Sequence, residues 1–439
     1  MDQTLGISKK SKRARRSWYL YDFGNSAYAA IVLLAVYSAY FKNVVVGGAE
    51  GTRLWGISVG VAAILVAVIS PILGSIADFS RAKKKLLFIF TALSILFTGL
   101  LFFVREGDVF LGMLFFILAE IGYRGAQVFY DALLVDVSTP ETIGNVSGKG
   151  WAVGMIGGVI CLGIVLALLQ IFKLPVQIAF PVTALFFLLS SLPTFMWVKQ
   201  CSEPEVLPPG ESTFGLAFKK LAQTFKSIKN YKEFIKYTIA FLVYNDGIMM
   251  LMDFAAIIGA TLFGMEQTGL ILFVIIIQIF GALGAFLFGR IADRVSSKQA
   301  VIYSLVILIG AIIALFFIKT TILFFVVGAV AGFSLSGAQA VSRSMVSQLA
   351  PPEKTSEFYG FLSVAGRTST FVGPLVFGTL QFRMHNWYVN HGFEAQAAEH
   401  NGLLWGVGSI LLFLIVGLVL LWFVRKVTHQ DPMVYDQVK

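Results

Sequence analysis

Glu120, Arg124, Gln127 and Asp131 are spaced four, three and four residues apart. On an α-helix that spacing stacks all four on one narrow stripe. The surrounding segment, 109–131, is otherwise mostly apolar and long enough to cross a bilayer. An ionisable side chain at membrane depth costs about 2.5–3.5 kcal/mol on insertion scales, so by default it marks a functional site. Glu120 and Arg124 can pair one turn apart. Together the stripe offers a carboxylate, a guanidinium and an amide, groups that can hold a polar molecule or pass a proton. A buried structural ion pair would have the same spacing, and both readings stand at this point.

Similar chemistry recurs in other apolar runs. The first run opens with "SWYLYDFGNSAYAA", residues 17–30, which puts Tyr21, Asp22, Asn25 and Tyr28 on one side of a helix. Polar groups cost little there if the helix faces a watered cavity rather than lipid. Asp22 lies near the end of its run, where a pair with a neighbouring helix would serve as well as solute contact. A later run carries Tyr244, Asn245, Asp246 and Asp253, with the two aspartates seven residues apart on a shared face. Another carries Ser336, Gln339 and Arg343, and a fourth carries an isolated Arg367 that needs an acid.

The elements positioning these residues follow from composition. Of 439 residues, 57% are hydrophobic and only 13% are charged. A soluble domain carries about 25% charged residues, so most of this surface must face lipid. The mean hydropathy of +0.81 agrees. Runs of about 20 apolar residues, the length that spans a bilayer, predict spans at 19–42, 54–77, 84–105, 109–131, 148–172 and 176–198. Six more are expected at 234–262, 267–291, 299–318, 322–342, 357–381 and 402–424. The net charge of +10 is split among short loops, which speaks for membrane topology rather than nucleic acid.

With twelve spans the basic clusters fall on one side. They are "KKSKRARR", Arg81 with Lys83 to Lys85, the lysines of the central segment, and Arg290, Arg294 and Lys298. Arg343 with Lys354 and Arg425 with Lys426 complete the set. Both termini are therefore expected in the cytoplasm. The central segment, 199–233, places Phe214, Phe218, Leu221, Phe225 and Ile228 at helical spacing and reads as a linker with an amphipathic surface helix. Cys161 and Cys201 give no disulfide framework, and no cleavable signal peptide is expected.

The chain also repeats. "GSIAD" at 74–78 returns as "GRIAD" at 289–293, an offset of 215, and "GAQ" at 125–127 returns at 337–339, an offset of 212. "YDFG" at 21–24 matches "YNDG" at 244–247. Ordered matches with six spans per half indicate a duplicated six-helix unit. Expected domains are 1–198, a six-helix bundle; 199–233, the cytoplasmic linker; and 234–439, a second bundle. The fold class is all-α and polytopic.

"GSIADFSRAKKK" resembles the loop signature of the major facilitator superfamily, a Gly followed four residues later by an Asp and then a basic cluster. Phe79 stands where that signature usually has Arg, Arg81 falls one position early, and the second copy has Ser296-Ser297 in place of Gly-Arg. Within that superfamily, "WYLYDFGNSAYA" resembles the vacuolar effluxer group, which includes the yeast autophagy-related amino-acid exporter and prokaryotic relatives. The resemblance implies twelve helices in two pseudo-symmetric bundles, alternating access, and a cavity lined by the first, fourth, seventh and tenth helices. It also implies a latch between halves formed by Gly74, Asp78 and Arg81 with Gly289, Asp293 and Arg294. The alternative for these charges is a plain stop at the end of a span.

Other signals are set aside. "GNVSGK" at 144–149 is too short for a phosphate loop, and Gly150 replaces the Ser or Thr that would hold magnesium. His385, His391 and His400 are expected to share one exterior loop and match no metal spacing. The reading is a secondary transporter for a small polar solute such as an amino acid, not an enzyme, with no cofactor or metal. Carboxylates at membrane depth leave proton coupling open. The bilayer and a solute are the expected partners, without nucleic acid, for a monomer in a bacterial cell membrane. The alternatives are a cation-coupled sugar or glycoside symporter of the same fold, a lipid scramblase, or a receptor that does not transport.

Overall fold

The computed structural model describes residues 2–79, 82–138, 143–199, 231–349 and 371–425, together with Leu362 and Gly366. The chain begins with α1 (Asp2–Tyr28), a π-helical segment (Ala29–Ala35), α2 (Tyr37–Tyr40) and a second π-helical segment (Phe41–Val46). There follow α3 (Gly48–Phe79), α4 (Lys83–Leu100), α5 (Val109–Ala132), α6 (Leu134–Val137), α7 (Ile143–Gln170) and α8 (Ala179–Trp197). Next are α9 (Lys232–Phe263), α10 (Gln267–Arg294), α11 (Ser297–Ala314) and α12 (Thr321–Leu349). The last two are α13 (Val372–Asn390) and α14 (Ala395–Trp422).

Among the described residues, 11 helical stretches are long and apolar enough to cross a membrane. The first part of the expected span at 357–381 falls largely on residues outside the described set; α13 contains its end. Most of the 199–233 segment, Arg81 and Arg367 also lie outside it, as do the surroundings of Gly74 and the side chains of Asp78, Asp293 and Arg343. Helix ends are set by local chemistry. Gly264 stops α9 in the left-handed conformation, with φ of 61°, which a glycine adopts without a Cβ penalty. Ser296 caps α11 by accepting a hydrogen bond from the Gln299 backbone N–H at 3.2 Å.

Contacts divide the chain into two units, Met1–Val46 with Val68–Phe218, and Gly47–Ala67 with Lys219–Lys439. In the first unit α1 packs on α7 and α8, and α4 packs on α5 and α8. In the second, α9 packs on α13 and α14, and α11 packs on α12 and α14. The same pairings therefore recur in the same chain order, as a duplicated unit requires. The first half of α3 belongs to the second unit, where Trp55 Nε1 donates to the Asp253 carbonyl at 2.8 Å. Phe317 and Ile322 are 77% and 78% exposed, which suits lipid and not water.

Two expectations are corrected. The first span is not a regular helix over 19–42: Val36 N–H bonds to the Ile31 carbonyl, five residues back, at 2.8 Å. The second concerns the segment 382–400, which is largely helical and not a loop. α13 runs to Asn390 and α14 starts at Ala395, so His385 and His400 are helical and only His391 lies in the turn. His391 closes α13, its backbone N–H on the Trp387 carbonyl at 3.2 Å.

Candidate solute site

In the first unit the stripe on α5 meets the end of α1. Glu120 is fully buried, and Arg124 Nε donates to its Oε1 at 2.5 Å. Tyr28, the last residue of α1, donates its hydroxyl to Glu120 Oε2 at 2.9 Å. Its ring stacks on Tyr123 with centroids 4.6 Å apart. Each carboxylate oxygen thus accepts a bond, as a buried anion requires. The guanidinium side of the pair is 19% exposed. Asn25, one turn before Tyr28, is 1% exposed, and its Oδ1 has no hydrogen-bond partner among the described residues.

Local packing holds this arrangement. A Cβ on Gly122 would come within 2.5 Å of the Ser94 backbone nitrogen, so α5 lies directly against α4. Glu120 meets the end of α1 at Tyr28. The π-helical winding begins at Ala29, immediately after Tyr28. Short π-helical stretches occur frequently at functional sites because they re-aim side chains within an otherwise continuous helix.

The aromatic head of the first span divides by role. Tyr21 and Tyr28 both face α5, two turns apart, on Tyr130 and Tyr123 respectively. The Tyr21 hydroxyl hydrogen-bonds Thr91 at 2.7 Å, and its ring stacks on Tyr130 at 4.8 Å. Trp18 stacks on Tyr130 at 4.3 Å, its Nε1 donates to the Tyr130 carbonyl at 3.1 Å, and the Tyr130 hydroxyl donates back to the Trp18 carbonyl. These groups form a core between α1 and α5. Asp22 lies against α7, where a Cβ on Gly154 would stand 3.1 Å from its carboxylate. Gln127 is half-buried and Asp131 is exposed. An expected result follows for Tyr28→Phe. Loss of a hydrogen bond to a charged group costs about 1.5–3 kcal/mol, so the unfolding midpoint should fall while the fold persists, as a thermal melt in detergent can show.

In the second unit the corresponding residues bond within that unit, across helices. Gln339 Nε2 donates to Asn245 Oδ1 at 2.8 Å, and Tyr244 shares a 2.6 Å hydrogen bond with Ser342. Asp246 accepts from the Gly373 backbone N–H at 2.9 Å. Asp253 is buried. At Gly289 a Cβ would meet no described atom within 4 Å, and Arg294 is exposed at the end of α10. The Asp246–Gly373 bond was not legible in the sequence, because 127 residues separate its partners.

These apolar helices, with the Glu120–Arg124 pair along α5, make a polytopic membrane protein, and its relatives are transporters of the major facilitator type. A bacterial homologue of the human lysosomal transporter Spinster, in an inward-facing and unoccupied conformation, is similar at a TM-score of 0.69 and 14% identity, covering 95% of this chain and 96% of that one. A variant of the nucleoside transporter NupG is similar at a TM-score of 0.71 and 14% identity, covering 93% and 99%. The chain belongs to the vacuole effluxer Atg22-like family, which it matches over residues 53–397. The uncharacterized MFS-type transporter YxiO of Bacillus subtilis (strain 168) is 29% identical over 442 residues, 97% of this chain and 98% of that protein. Autophagy-related protein 22 of Saccharomyces cerevisiae (strain ATCC 204508 / S288c) is 28% identical over 177 residues, 38% of this chain and 34% of that one.

Proposed function

We propose that the protein is a secondary transporter moving a small zwitterionic solute of the amino-acid class by alternating access, with Tyr28, Glu120 and Arg124 at the centre of its solute site. The observation that carries this reading is the Glu120–Arg124 pair, a buried carboxylate held by a partly exposed guanidinium. Buried pairs add little stability compared with apolar packing. A zwitterion brings one ammonium and one carboxylate, so it can exchange partners with the pair and leave no charge bare. The open acceptor of Asn25 is available to an ammonium group. Asp22, Gln127, Tyr244, Asn245, Asp253, Gln339, Arg343 and Arg367 complete the proposed lining, and Gly74, Asp78, Arg81, Gly289, Asp293 and Arg294 the proposed latch.

The test is uptake by purified protein in proteoliposomes across labelled amino acids, sugars and peptides, with and without a pH gradient. Amino-acid uptake competed by unlabelled amino acid is expected. Sugar uptake alone would replace this reading with a symporter, and lipid scrambling without solute uptake would replace it with a scramblase.

The proposed protein works as a monomer in a bacterial cell membrane, with residues 1–198 and 234–439 as bundles and 199–233 as linker. Its termini face the cytoplasm, in keeping with the basic clusters. Single cysteines at Ser212 and Asn390, in a background lacking Cys201, should react with an impermeant thiol reagent from opposite faces. Labelling from the same face would remove the even span count.

A further inference from the structure

The first amides of a helix have no partner inside it and carry the positive end of its dipole. At the start of α13 one of these amides, Gly373 N–H, is taken by Asp246 Oδ2 of α9. Asp246 is 2% exposed, and its second oxygen, Oδ1, has no hydrogen-bond partner among the described residues. Glycine at 373 makes room for that oxygen, since a Cβ there would stand 2.8 Å from Oδ1 and 2.5 Å from the Met250 side chain. The carboxylate therefore reaches the helix start with one oxygen bonded and the other bare.

The charged groups around it are few. On α9, Glu233 is paired with Lys236, and Asp253 is seven residues along. α12 presents the neutral Gln339 and Ser342 toward α9, and the Arg343 side chain lies outside the described residues. α14 has no ionisable residue from Asn401 to Trp422, and α10 has none before Arg290. On α13 the first ionisable residue is Arg383, well beyond Gly373 along the helix. In the first half of α3, Glu50 and Arg53 pair with each other. Among the described residues no ion pair includes Asp246.

We propose that Asp246 is a proton-binding site, and that protonation at Oδ1 loosens its hold on the start of α13. A charged carboxylate accepts the Gly373 N–H strongly and complements the helix dipole. The neutral acid does neither as well, and it gains an O–H donor. The proton comes from water, and no other bond is made or broken. As a site of coupling, this inference rests on the transport reading above; as a proton site, it stands without it.

The experiment is infrared difference spectroscopy of the full-length protein in lipid nanodiscs, between acidic and alkaline buffer. A protonated-carboxyl band should vanish on alkalinisation in the wild type, be missing from Asp246→Asn and persist in Asp253→Asn. An unchanged band in folded Asp246→Asn would overturn the proposal. Should that variant fail to fold, Asp246→Glu must displace the band, and an unmoved band overturns the proposal equally. In proteoliposomes, Asp246→Asn should lose the stimulation by a pH gradient that the wild type shows; retained stimulation would sink the coupling role. A wild type that transports no solute, yet shows the Asp246 band, would reject the transport reading and uphold the proton site.

Discussion

Glu120→Gln alone lowers the stability of the folded protein by about 3–5 kcal/mol, and adding Arg124→Gln recovers folding without recovering transport. The first half follows from burial. Glu120 is fully enclosed, and removing its charge leaves the Arg124 guanidinium without the anion that it donates to at 2.5 Å. Breaking a buried pair from one side costs more than removing both partners, because the remaining charge loses its counter-ion. The Tyr28 hydroxyl would still find an amide oxygen in the Gln side chain, so the loss is mainly that of the ion pair. The second half is the functional claim. A purely structural pair would return both folding and transport in the double variant. Thermal melts with uptake measured on the same preparation separate the outcomes, and wild-type uptake by the double variant would reduce the stripe to scaffolding.

Gly157→Val destabilises the first unit by about 3 kcal/mol or more. A Cβ at this position on α7 would lie 2.7 Å from both the carbonyl carbon and the Cα of Phe23 on α1, and would overlap the carbonyl oxygen. Backbone atoms cannot rotate away as a side-chain tip can, so the two helices must part. Overpacking of this kind typically costs about 1–3 kcal/mol and occasionally more, and a clash with main chain belongs at the upper end. Separation of α1 from α7 would also shift Tyr28 relative to Glu120, so transport should fall with stability. Gly163, further along the same helix, is the control, because a Cβ there meets nothing within 4 Å. Gly163→Ala should change the melting midpoint little, or raise it slightly through better helix propensity. Equal damage from both variants would remove the close-packing explanation.

What was legible in the sequence was whatever depended on neighbours along the chain. Apolar runs located some spans closely, as for 109–131 against Val109–Ala132, and others with ends about seven residues off, as for 402–424 against Ala395–Trp422. The Glu120–Arg124 pair is an i,i+4 contact, which spacing alone can anticipate. Winding was not legible. An i→i+5 ladder and an i→i+4 ladder have the same hydrophobic content, so nothing in "AAIVLLA" announced the segment Ala29–Ala35. Direction was legible, since Tyr21 and Tyr28 share a face by spacing and both pack on α5; which partner each takes there, Thr91 with Tyr130 or Glu120 with Tyr123, was not. The identity of a buried residue's partner across the fold, such as Gly373 for Asp246, is a tertiary fact that no window of sequence contains.

The two π-helical segments of the first span also bear on how relatives should be aligned. Winding with i→i+5 bonds packs an extra residue into a turn, so the span stores surplus chain without lengthening in proportion. A relative one residue shorter between Tyr28 and Val46 need not have lost depth in the membrane. It can wind that stretch as ordinary α-helix and keep Tyr28 and Tyr37 facing their partners, Glu120 and the Gly112 carbonyl. Gaps in this stretch should therefore be scored as changes of pitch, and alignments anchored on either side of it rather than through it.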